Sequence, residues 1–150
     1  MKRLLAILVC LMLMISTLAI PATAVENDDI IISQTVNYIS EDCYFIETIT
    51  VPSVQLYANS KTGTKTAVCV SSGTAIYTIS VTGTFTYDGS TSTATSASGA
   101  ISAHVEGVTL KSRNAYTSGS SAIATGSVVY CGITLQKTVT LTCDKNGNLS

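Results

Sequence analysis

The sequence predicts an all-β domain, an antiparallel β-sandwich of the immunoglobulin-like kind, with a small β-barrel as the alternative. Three observations support this fold class. Apolar residues and Thr alternate with period two in several stretches, turn-forming residues recur between those stretches, and no stretch after residue 24 has the 3.6-residue period of a helix. The Cys…Trp…Cys pattern of antibody domains is missing because the chain contains no Trp.

The clearest strand is predicted over Tyr77–Tyr87. Its odd positions carry aromatic and aliphatic residues and Gly83, and every even position is Ser or Thr. Because successive side chains of a strand point to opposite faces, the odd positions should face a core and the hydroxyl row should face water. Gly83 interrupts the apolar row, so we expect a bulge or bend there.

A second alternating strand is predicted over Ile133–Cys143, preceded by a partner over Ser127–Cys131 and joined to it through Gly132. Lys137 falls on the apolar parity of this strand, which favours a turn or bulge at that point.

Earlier strands are expected between clusters of turn residues. They cover Ile30–Ile39, Cys43–Val51, Val54–Ala58 and Thr64–Val70. From residue 60 to residue 127 the chain is rich in Ser and Thr but contains no Pro, which argues against a disordered stalk.

The first 24 residues have the layout of a secretory signal peptide. Lys2 and Arg3 precede a long apolar run, and small residues lead to a cleavage site between Ala24 and Val25. We therefore expect residues 25–150 to form a single secreted, extracellular domain with no stable membrane insertion after cleavage.

The charge of the predicted mature chain excludes one class of partner. After loss of Lys2 and Arg3, nine acidic residues face six basic ones, with no basic cluster. Nucleic-acid binding needs a basic stripe, so no nucleic-acid partner is expected.

Four cysteines remain in the mature chain: Cys43, Cys69, Cys131 and Cys143. An even number in an exported domain predicts two disulfides, and the sequence leaves all three pairings open. No C-x-x-C pair and only one histidine are present, so no metal site is expected.

The sequence offers little catalytic chemistry. His104 and Glu106 would share one face of a strand and could act as a base and its partner, but no G-x-S-x-G motif marks a nucleophile. Asp144–Asn148 imitates the start of a calcium loop, yet the position that needs Gly is Leu149, so a terminal turn is the better interpretation. We therefore expect no enzyme activity and no cofactor.

Three segments carry a resemblance to a known group. Ser60–Thr66, Gly83–Gly89 and Thr138–Ser150 resemble, in order and spacing, small secreted proteins of Gram-positive bacteria of the Clostridia type. That family is functionally uncharacterised. The resemblance implies export and an all-β domain, and it supplies no catalytic residue.

These observations predict a non-enzymatic binding or structural module whose partner is an extracellular protein or glycan. The segments 114–120 and 88–99 are the expected contact surfaces because they look least like core. Five Tyr residues outside the predicted core face (Tyr38, Tyr44, Tyr57, Tyr116 and Tyr130) could form a platform for sugars. Two alternatives are a hydrolase that uses His104 with Glu106 or Asp88, and a secreted toxin-like polypeptide.

Overall fold

The computed structural model describes residues 29–54 and 58–150, and they form eight antiparallel strands with no helix. The predicted signal peptide and Tyr57 lie outside the described residues. The strands are β1 Asp29–Ser40, β2 Cys43–Pro52, β3 Ser60–Ser71, β4 Thr74–Tyr87, β5 Ser92–Ala103, β6 Thr109–Ser118, β7 Ser121–Tyr130 and β8 Ile133–Thr142.

The strands form two separate sheets that pack face to face. The larger sheet has the order β1-β2-β3-β4-β5 and the smaller has the order β6-β7-β8, so each strand within a sheet pairs with its neighbour in sequence. The prediction of an all-β antiparallel sandwich is confirmed, and the sheets do not close into a barrel. Immunoglobulin domains use Greek-key connections, whereas this chain is a meander, so the likeness lies in the two packed sheets.

Tight hairpins explain the sequential order. Ser72-Gly73 joins β3 to β4 and Cys131-Gly132 joins β7 to β8, and all four residues have positive φ. Two central residues with positive φ define the type I′ turn, whose twist matches that of the flanking strands. Cys131 is therefore a turn residue. The sequence-based prediction that it ends a strand is wrong.

The core lies between β2–β5 of the larger sheet and the inner face of the smaller sheet. Tyr77, Ile79, Val81 and Phe85 on β4 are fully buried, as the alternation predicted. The smaller sheet contributes a buried row of similar residues: Ala122, Ala124, Val128, Val139, Leu141 and Cys143.

A seam of small residues lets the two sheets approach closely. Gly83 on β4 lies against Ala122 on β7, and Gly126 on β7 lies against Ile79. Gly83 is paired regularly with Gly63 and Ala97 on its two neighbouring strands, and the nearest register shift falls after Thr84. The expected bulge at Gly83 is thus wrong. Its lack of a side chain serves packing between the sheets.

Several predicted strand limits also need correction. Val54 lies outside the strands, and Ala58 and Asn59 form a turn, so no strand occupies the described part of 54–58. Strands β5 and β6 include most of the two segments expected to be contact loops. The strand β8 runs through Lys137 without a register shift, so no turn or bulge occurs there.

Candidate binding surfaces

His104 does not form the arrangement that a hydrolase would need. It follows the end of β5, where its Nε2 lies 2.6 Å from Oγ1 of Thr78 and its backbone N–H donates to the carbonyl of Ile76 at 2.9 Å. Glu106 lies in the next turn and not on a shared strand face. Within residues 29–54 and 58–150, no hydrogen bond or ion pair joins His104 to Glu106 or Asp88.

The two acidic turns at the opposite end of β4 are held by their own backbone. Oδ1 of Asp88 accepts hydrogen bonds from the N–H groups of Ser90 and Thr91, and Oδ1 of Asp144 accepts from those of Asn146 and Asn148, all at 2.7–2.8 Å. Nδ2 of Asn148 also donates to Oδ2 of Asp144 at 2.8 Å, and this bond, with the backbone bonds, holds the pKa of Asp144 below its usual range. The backbone bonds from Thr91 and Ser90 lower the pKa of Asp88 in the same way. Asp144–Asn148 is therefore a turn closed by its own carboxylate. The described residues contain no group of three or more His, Cys, Asp or Glu that could hold a metal.

The two expected contact segments meet at this same end of the sandwich. The N–H of Ala94 on β5 donates to the carbonyl of Gly119 at 2.8 Å, and the hydroxyl of Ser92 donates to the carbonyl of Cys143 at 2.7 Å. A shallow depression of about 220 Å³ beside them is lined by Asn59, Tyr87 and Asp88, among others. A second depression of about 250 Å³ lies between β5 and β6. Both are smaller than ordinary small-molecule sites, which exceed roughly 300 Å³.

The tyrosines do not gather into a single platform. The rings of Tyr38 and Tyr44 lie 5.4 Å apart at 46°, on the outer face of the larger sheet. Tyr116 is exposed on the outer face of the smaller sheet, and Tyr130 is half-buried against the core. Only the Tyr38–Tyr44 pair offers a continuous aromatic surface among the described residues.

The four cysteines among the described residues are free thiols, with no two at bonding distance. Cys131 and Cys143 flank the ten-residue strand β8, at opposite ends of the sandwich. Cys143 lies beside Ser92 and Ser120, whereas Cys43 and Cys69 lie near the other end of the larger sheet. Every arrangement with two disulfides needs a partner for Cys143, so the predicted pair of disulfides is wrong for this fold.

An ion cluster that the sequence analysis missed joins the two sheets. Glu47 on β2 receives a hydrogen bond from Nζ of Lys137 at 2.7 Å, and Nζ of Lys65 lies 3.7 Å from its other oxygen. The Lys137 ammonium also lies 4.3 Å from the centre of the Phe45 ring. Partial burial would raise the pKa of Glu47, but the hydrogen bond and the charges of the two lysines outweigh it and lower that pKa. Lys137 thus occupies a core-facing position because Glu47 and Phe45 stabilise its charge.

This cluster predicts acid sensitivity. Because the pKa of Glu47 is lowered in the folded state, its contribution is present above the unfolded pKa and is lost as the pH falls through the folded value. In Lys137→Met, we expect a loss of about 1–2 kcal/mol in the free energy of unfolding near pH 7, and a shallower decline toward acid. Urea unfolding at several pH values measures both. Lys145→Met is the control, since Lys145 is exposed. An equal loss in both variants would contradict the role of the cluster.

Strand β1 is the least partnered element of the fold. All of its twelve residues are exposed, although it pairs with β2 along its length. Six large apolar side chains on its two faces are 44–72% exposed: Ile30, Ile31, Ile32, Val36, Tyr38 and Ile39. The smaller sheet leaves both faces of β1 uncovered.

Across residues 29–54 and 58–150, the fold and this edge define the class: an antiparallel β-sandwich with an apolar edge strand, β1, whose outer edge pairs with no described strand. Comparison with protein-family models, curated proteins and solved structures gave no match. Within the described residues, no helix has the length and apolar character needed to span a membrane.

Proposed function

We propose that this chain is a secreted, non-enzymatic module that binds an extended protein segment by adding it to the free edge of β1. Export is supported by the signal-peptide pattern of residues 1–24 and by the resemblance to small secreted proteins of Gram-positive bacteria. A protein partner is favoured over a glycan because an open strand edge presents a row of backbone N–H and C=O groups.

The observation that carries this proposal is the lack of charged residues and Pro along most of β1, an edge strand of the described sheet. Edge strands usually carry charges, Pro or sharp bulges that prevent pairing with another chain. From Ile30 to Ser40 this strand has no charged residue and no Pro. By contrast, β6 at the edge of the smaller sheet carries Lys111 and Arg113.

The geometry of β1 indicates what kind of strand would fit. Register shifts occur between Ile31 and Ser33 and between Tyr38 and Ser40, so 33–38 is the longest uninterrupted pairing segment. On its outer face, Val36 lies beside Ile46 and Tyr38 beside Tyr44. The opposite face of 33–38 carries Ser33, Thr35 and Asn37. A partner strand of about six residues should therefore alternate apolar and uncharged polar side chains.

The test uses the chain from residue 25 onward and a labelled peptide with the sequence of residues 43–52, in which Cys43 is replaced by Ser and Glu47 by Gln. This peptide is a suitable probe because β2 is the strand that β1 already pairs with. We expect saturable binding in fluorescence anisotropy, and slower hydrogen exchange at 33–38 when the peptide is bound. In Val36→Lys, binding should weaken at least tenfold, since the peptide would meet a charge at the centre of the segment.

The matched control is Ile133→Lys, which places the same charge at an exposed apolar position of β8. Binding should be unchanged in this variant. The absence of saturable binding, or an equal loss in both variants, would contradict the proposal. Self-association that Val36→Lys abolishes would identify a second copy of the chain as the bound segment.

A further inference from the structure

Two of the four cysteines lie side by side on the inner face of the larger sheet. In the β2–β3 ladder, Cys43 is opposite Ser71 and Phe45 is opposite Cys69. The two cysteines are therefore diagonal neighbours on one face, close enough for Cys43 to raise the pKa of the Cys69 thiol beyond the rise caused by its burial. Cys69 is buried, and Cys43 is half-buried at the first position of β2.

A third group shows how tightly this cluster is packed. Tyr77 is opposite Cys69 on β4 and is fully buried, and its hydroxyl has no hydrogen-bond partner. Burial, followed by the neighbouring thiols of Cys69 and Cys43, raises the pKa of Tyr77 to about 12. The two sulfurs thus share one dry environment, close to the turn that joins β1 to β2.

We propose that Cys43 and Cys69 form a disulfide, the single intramolecular one of this chain, and that it ties the β1–β2 hairpin to the core strand β3. This inference does not depend on the proposed binding to β1. Diagonal cross-strand neighbours lie roughly 7–8 Å apart at Cα, slightly beyond the usual reach of a disulfide. The required shift of about 1 Å is available to Cys43, because the exposed turn Glu41-Asp42 precedes it.

Cys143 has no partner among the cysteines that the structure describes. Cys131 precedes the ten-residue strand β8 and Cys143 follows it, which separates them by roughly 30 Å. Cys143 is also remote from Cys69, because it lies beside Ser92, which pairs with Tyr87, whereas Cys69 pairs with Tyr77 at the other end of β4.

Formation of this bond needs an external oxidant, which we take to be a disulfide of a thiol oxidoreductase or of glutathione. The Cys43 thiolate attacks one oxidant sulfur and releases the other as a thiolate. The Cys69 thiolate then attacks Sγ of Cys43 and releases the second oxidant thiolate, so both cysteines are oxidised and the oxidant disulfide is reduced. Cys43 is the first nucleophile because it is half-buried at the start of β2, where an oxidant can reach it, whereas Cys69 is buried. Burial, followed by the neighbouring Cys43, raises the pKa of Cys69 to about 11.

Mass spectrometry can test the pairing directly, because trypsin places each cysteine on a different peptide. Cleavage after Lys and Arg gives 25–61 with Cys43, 66–111 with Cys69, 114–137 with Cys131 and 138–145 with Cys143. The chain from residue 25 is incubated with oxidised and reduced glutathione and then alkylated under denaturing conditions. We expect two alkylated thiols and one linked pair, 25–61 with 66–111.

Variants keep the test decisive. Cys131→Ser should leave the linked pair intact, whereas Cys43→Ser should yield three alkylated thiols. The oxidised protein should melt roughly 10 °C above the reduced protein, because the bond closes a loop from residue 43 to residue 69. Four alkylated thiols, or a link that includes 114–137 or 138–145, would overturn the proposal.

Discussion

Gly83→Ala is expected to lower the free energy of unfolding by about 3 kcal/mol, a large effect for the addition of one methyl group. A Cβ at residue 83 would lie 2.6 Å from Cβ of Ala122 and 2.8 Å from Cζ of Phe85. Ala122 is fully buried on a central strand, so it cannot move aside without its backbone. Relief requires the two sheets to separate, which would also loosen the packing around Phe85. Urea unfolding measures the loss.

A second substitution distinguishes this clash from the backbone cost of replacing any glycine. Ala122→Gly removes the atom closest to the new methyl group, so Gly83→Ala with Ala122→Gly should be more stable than the sum of the two single losses, by more than about 1 kcal/mol. Gly73→Ala is the control. It has a φ of 76° with nothing within 4 Å, so its cost of about 1–2 kcal/mol comes from the backbone alone. If Ala122→Gly offset the stability loss of Gly73→Ala as much as that of Gly83→Ala, the contact between residues 83 and 122 would not be the cause of the loss.

The same seam explains why part of the fold escaped prediction. The alternation in Tyr77–Tyr87 identified β4 because large apolar residues mark its inner face. On β5 the corresponding inner positions include Ala97 and Gly99, which alternate with Ser96 and Ser98 and resemble a polar loop. Those residues are small because the sheets approach closely there: Cβ atoms of Ala124 and Ala115 lie within 3.4 Å of where a Gly99 side chain would be. Close packing thus removed the signal that reveals a strand.

Long-range pairing accounts for the other differences. A lysine on an apolar parity usually ends a strand, and Lys137 continues one because Glu47, distant in sequence, lies 2.7 Å away. Similarly, the count of cysteines predicted two disulfides, but only the fold places Cys143 at the opposite end from Cys43 and Cys69. The exposure of β1 could not be predicted either, because its sequence is that of an ordinary half-buried strand. Only the three-stranded width of the smaller sheet leaves β1 uncovered.

Phe85→Ala is the second substitution with a large expected effect, about 4 kcal/mol in the free energy of unfolding. Phe85 is completely buried: its relative exposure is 0%, and its ring lies in the seam beside Gly83. Truncation to alanine removes the buried ring and leaves a cavity that Gly83, its neighbour on the same face of β4, has no side chain to fill. Phe85→Leu, which keeps most of the volume, should cost about 1–1.5 kcal/mol and remains measurable if the alanine variant does not fold.

The matched control for this prediction is Tyr38→Ala, because Tyr38 is a similar ring on the same sheet that is 72% exposed. We expect its loss to stay within about 0.5 kcal/mol, since a surface side chain gains little from folding. Tyr38 would then contribute almost nothing to the free energy of unfolding of the isolated chain. A loss above 2 kcal/mol in the free energy of unfolding of Tyr38→Ala would instead mean that Tyr38 stabilises the fold itself. Its exposure would then give no support to a partner at β1.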